Sequence, residues 1–122
     1  MLSGASLLYI VAGGALGSGC RALAYMLIKT SKNGFAAATL TVNIIGCLLL
    51  GWILAHAGSL QHNHLVALQA GFCASLTTFS TFAVDLAKAI LKGNWKIASA
   101  ETLLNAALCP AAVFIGLWVG AS

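Results

Sequence analysis

The chain has 122 residues, of which 61% are hydrophobic and 7% charged, and its mean hydropathy is +0.99. So few charges cannot build the polar shell of a water-soluble domain, and the composition dictates an integral membrane protein. At about 20 residues per span, four helices use nearly the whole length, which excludes a soluble catalytic or nucleic-acid-binding domain; the net charge of +4 sits mainly at the ends of apolar segments, where it orients a chain in a bilayer.

The first apolar segment covers residues 2–28. It lacks a basic n-region and is long for a signal peptide, so it is expected to stay in the mature chain. Gly13 and Gly17, at i and i+4, mark a face that another backbone can approach closely. Arg21 lies deep in this segment, where its guanidinium must snorkel, bond carbonyls or line an aqueous vestibule. A polar turn at residues 29–34 leads to a second span over 35–57, which carries the lone amide Asn43. Residues 58–64 turn again into a third span over 65–91. The weakly helical stretch around Ala74, Ser75 and the hydroxyls that follow predicts local unwinding near its middle. The fourth span covers 97–120 and contains Pro110, which leaves the carbonyl of Ala106 without its usual amide partner. The expected fold is one all-α domain of four transmembrane helices, with no internal repeat.

With four spans, Lys29, Lys32, Lys88, Lys92 and Lys96 share one side of the membrane, and His56, His62 and His64 share the other with both termini. The positive-inside rule then places the lysine turns in the cytoplasm. His62 and His64 have a poor metal spacing and are expected to be solvated. Cys20, Cys47, Cys73 and Cys109 fall inside apolar segments without C-x-x-C spacing and are expected to pack as small residues.

The most informative stretch is Thr77-Thr78-Phe79-Ser80-Thr81-Phe82, four hydroxyls and two phenyl rings inside an apolar span. Hydrocarbon offers an unpaired hydroxyl no partner, so the run points to a lining that meets water, an ion or another helix. The alternative is that each hydroxyl bonds back to a carbonyl one turn earlier and serves packing alone. Phe79 and Phe82, at i and i+3, share a face and can turn their electropositive edges to an anion, and Asn43 adds an amide donor from another helix. Glu101 and Asn105, at i and i+4, also share a face. Glu101 is expected either to face a pore in its neutral form or to reach the interface near Lys96. Asp85 is expected to form a surface ion pair with Lys88. No catalytic triad, phosphate loop or paired carboxylates occur at a credible spacing, so an enzyme is not expected.

These motifs resemble those of the Fluc fluoride channels of bacteria, the CrcB-type family, over segments one to three. The glycine-rich stretch from Gly13 to Arg21, the Thr39-Leu40-Thr41-Val42-Asn43-Ile44-Ile45-Gly46 pattern and the run from Thr77 to Phe82 carry the likeness. The resemblance implies a multi-pass protein of the bacterial inner membrane that gives fluoride resistance. It would act as an antiparallel, dual-topology dimer whose third helices are broken near the middle, exporting fluoride passively through two narrow pores. It implies Phe79 and Phe82 as the pore phenylalanines, Asn43 as the pore asparagine, and Ser80, Thr81 and Thr78 as pore hydroxyls. Arg21 takes a vestibular or structural place. A sodium ion at the dimer centre would be held by the backbone carbonyls of Ala74 and Thr77. Counting from Gly93, Glu101 stands where many members carry a pore tyrosine and Asn105 where they carry a serine. The lysine bias leaves two partners open, a second copy of the chain or an oppositely oriented homologue, in contact with fluoride and membrane lipid and with no nucleic acid. The competing function is a small proton-coupled multidrug-type exporter, for which Glu101 is the one available membrane carboxylate.

Overall fold

A computed structural model describes residues 2–122. Every regular element among them is helical: α1 (Gly4–Leu27), α2 (Ala37–Ala55), α3 (His62–Val66), a π-helical segment (Ala67–Cys73), α4 (Ala74–Leu76), α5 (Phe79–Leu91) and α6 (Trp95–Ala121). Four stretches are long and apolar enough to cross a membrane, namely α1, α2, the composite His62–Leu91 and α6, so the chain is a multi-pass membrane protein.

α1 starts at Ser3, whose hydroxyl accepts from the Ser6 amide at 3.1 Å as an N-cap. The Ser6 hydroxyl donates to Asn63 Oδ1 at 2.8 Å, tying the head of α1 to the head of α3. This tie and the extended backbone of Gln61 set the third span's start at His62, ahead of the expected Leu65.

Small residues decide which helices pair, since dispersion between closely approaching backbones replaces the hydrophobic drive that lipid cannot supply. Gly13 and Gly17 of α1 are buried against the third span, where a methyl on either would overlap the carbonyl of Ala67 or of Phe72. α2 packs along α6 through Gly51 and Gly116, which abut the Val113 and Leu48 carbonyls. Pro110 sits on the exposed side of α6 and the helix runs on through it.

The third span is irregular by construction. Its middle is π-helical, and Gly71 there lies so close to α1 that a Cβ would come within 2.7 Å of the Ile10 carbonyl. After Leu76 the backbone leaves the helical region at Thr77 (φ −75°, ψ 153°) and Thr78 (φ −151°, ψ 118°) and re-enters it at Phe79.

Candidate functional site

Asn43, buried in the first half of α2, makes three hydrogen bonds, two of which hold this extended dipeptide. Its Oδ1 accepts from the Thr78 amide at 2.8 Å, and its Nδ2 donates to the Thr78 carbonyl at 3.3 Å and to Asn105 Oδ1 at 3.1 Å. Asn105 is oriented in turn by donating Nδ2 to the Glu101 carbonyl at 2.9 Å. Thr78 completes the arrangement as the N-cap of α5, its hydroxyl accepting from the Thr81 amide at 3.1 Å.

These bonds redirect two backbone amides. In an uninterrupted helix the Thr78 N–H would serve the Ala74 carbonyl and the Thr81 N–H would serve that of Thr77. Here both amides go to side chains, Asn43 Oδ1 and Thr78 Oγ1, so neither carbonyl receives its i+4 donor.

A cavity of about 530 Å³ opens beside the dipeptide between α2, α6 and the third span. Asn43, Thr77, Thr78, Phe79, Phe82, Ala74 and Asn105 lie on its wall, which is otherwise mostly apolar. The two phenyl rings stand 5.8 Å apart between centroids at 51°, and Phe79 is 80% exposed on the single chain. Ser80 and Thr81 are not on the wall, although the Thr78 hydroxyl is within 3.2 Å of the Ser80 hydroxyl and donates to that of Thr81 at 3.1 Å. The packing alternative holds for part of the run: the Thr77 hydroxyl donates back to the Cys73 carbonyl at 2.9 Å, yet Thr77 still borders the cavity.

Glu101 is tied to a backbone amide rather than to solvent or the cavity. It is 2% exposed and does not border the cavity; its Oε1 accepts from the Ala36 amide at 2.8 Å and its Oε2 has no partner. The carboxyl therefore serves the N-terminus of α2, where Ala36 supplies no side-chain cap. Asp85 is also a correction, because its Oδ2 accepts from the Thr39 hydroxyl at 2.7 Å, and Thr39 is within 2.9 Å of the Tyr25 hydroxyl. Arg21 is half-buried on α1, away from the cavity wall. His62 is exposed, His64 packs edge-on against Tyr9, and His56 Nδ1 lies 2.9 Å from the Trp52 carbonyl.

Sequence reasoning passed over Gln69 and Thr102, which also border the cavity. Gln69 is an isolated amide in an apolar span, the same signal that singled out Asn43.

A sequence profile of the family described as "CrcB-like protein, Camphor Resistance (CrcB)" matches residues 8–117. A fluoride-specific ion channel FluC of Ruegeria pomeroyi is 39% identical over 116 residues, covering 94% of this chain and 90% of that protein. FluC 2 of Symbiobacterium thermophilum is 35% identical, with 88% and 90% covered. FluC of Deinococcus radiodurans is also 35% identical, with 93% and 94% covered. A profile match over nearly its full length, together with relatives at 35–39% identity, shows that the chain belongs to the CrcB-like protein family.

Proposed function

We propose that the chain is a fluoride channel rather than an enzyme, passing the anion by electrodiffusion from the cytoplasm across the bacterial inner membrane through narrow pores at a dimer interface. The observation that carries this reading is the cavity beside Thr77 and Thr78, whose wall brings amide and hydroxyl side chains together with two phenyl rings among apolar residues. A small anion leaving water needs replacement donors, but donors that held it too firmly would stop conduction. Asn43 supplies such a donor, and its longer bond, 3.3 Å to the Thr78 carbonyl, is the one a passing ion can borrow. Ring edges of Phe79 and Phe82 offer weak, water-free contact that lets the ion leave. Ser80 and Thr81, linked to Thr78, extend the hydroxyl track once a second subunit covers the exposed face.

The dimer reading rests on the same surface, since Phe79 at 80% exposure is a pore residue without a facing wall on one chain. The antiparallel, dual-topology homodimer is our first choice of assembly, and an oppositely oriented homologue is the other. The Ala74 and Thr77 carbonyls fit a hard cation because the amides that would occupy them are bonded elsewhere. Sodium bound there would supply positive charge to these carbonyls from both subunits and fix the two dipeptides, a structural contribution only.

Fluoride efflux from liposomes tests the function. The parent chain is expected to release fluoride without a proton gradient, and Phe79→Ile or Phe82→Ile to lower the rate about tenfold or more, the effect of about 1.4 kcal/mol on a barrier. Parent-rate flux in both variants removes the role of the rings.

A further inference from the structure

The lysine-bearing end of the bundle holds a second cavity, separate from the one described above. It measures about 470 Å³ and is bordered by Lys32 of the α1–α2 turn and by Lys88 and Lys92 at the end of α5. Asn33 and Asn94 join its two rims, the Asn94 Nδ2 donating to the Asn33 carbonyl at 3.1 Å, so the space is framed by a fixed contact between turns. Thr30 and Ser31 add hydroxyls to the border. Asp85 is the one acid there, and its Oδ2 is already taken by the Thr39 hydroxyl. Three lysines and one carboxylate thus border the same recess. Leu91 and Trp95, which adjoin the bordering Lys92 and Asn94 in sequence, are 86% and 64% exposed.

Lysines that border one recess, with exposed apolar residues adjoining them in the chain, match the two ends of a charged lipid. We propose that this recess binds the phosphate-bearing headgroup of an anionic phospholipid, with the acyl chains lying over Leu91 and Trp95. Lysine ammoniums act here as point charges on flexible stems, which suits a headgroup phosphate without demanding one fixed orientation. The recess lies where two membrane-length stretches meet, at the end of α5 and the start of α6, which suits a ligand of the headgroup region. The site does not depend on the conduction pathway, whose walls are formed by other residues.

Brominated lipids quench tryptophan on contact, and Trp95 follows Asn94 of the border in the chain. In a Trp52→Phe, Trp118→Phe background reconstituted in phosphatidylcholine, brominated phosphatidylglycerol is expected to reach half-quenching at a mole fraction about fivefold or more below that of brominated phosphatidylcholine. Replacing Lys32, Lys88 and Lys92 together by Gln should bring the two lipids to the same midpoint. Equal quenching in the parent, or a preference that survives the triple replacement, overturns the proposal. Loss of the preference in millimolar inorganic phosphate also overturns it, by assigning the recess to a soluble anion. Native mass spectrometry of the unaltered chain provides the same comparison without the tryptophan changes: retention of phosphatidylglycerol over phosphatidylcholine is expected, and equal retention refutes the site.

Discussion

Asn43 is the residue on which the site turns, because its three bonds fix both the extended dipeptide and the neighbouring amide of Asn105. Truncation to Ala leaves the buried Thr78 N–H without its acceptor, a loss of about 1–3 kcal/mol. We expect Asn43→Ala to unfold at a lower temperature in detergent and to conduct poorly. A normal melting temperature would mean that water or another side chain takes over the bond. Glu101 invites the opposite experiment. An amide oxygen can still accept from Ala36, so Glu101→Gln should keep both stability and flux, whereas Glu101→Leu should lose about 1–3 kcal/mol by orphaning that N–H. Slowed flux in a stable Glu101→Gln protein would return the carboxyl to the pathway. Asn43 and the two phenylalanines were legible in the sequence because each is conspicuous where it stands. The partner of Glu101 was not, since a backbone amide 65 residues away leaves no mark in side-chain spacing.

At the scale of elements, glycine placement sets the helix pairs. Gly17→Val should cost about 1–3 kcal/mol by overpacking against Phe72 and Ser75, while Gly14→Ala, whose added methyl would meet nothing within 4 Å, should be neutral or slightly stabilising. Thermal denaturation of both in the same detergent checks the contrast, and equal losses would discard the packing argument. The Gly13 and Gly17 face was readable from its i, i+4 spacing. The Gly51 and Gly116 contact was not, because each lies in a helix apolar on most sides, and its meaning appears only when α2 lies against α6. Likewise, hydroxyl content suggested a weak point in the third span, but its location at Thr77 and Thr78 depends on Asn43 from another helix capturing an amide.

For the whole molecule, the number of spans followed from hydropathy and length alone, whereas the order in which they pack did not, since nearly uniform apolarity gives no preferred face. Charge bias by itself favours one orientation, which suits a dimer with an oppositely oriented homologue, whereas the dual-topology homodimer requires both. If the lysine turns lie in the cytoplasm, Asn33→Cys in a cysteine-free background should resist a membrane-impermeant thiol reagent added to intact cells, and His62→Cys should react. Equal labelling at both positions would mean that the chain inserts both ways. The contacts further divide the subunit into two couples: α1 grips α3, the π-helical segment and α4, while α2 lies along α6 and α5 leans on α6. Thr77 and Thr78 are therefore the place where the polypeptide crosses from one couple to the other. Because the cavity draws its wall from both couples, a displacement of one against the other changes its width while leaving the packing within each couple intact.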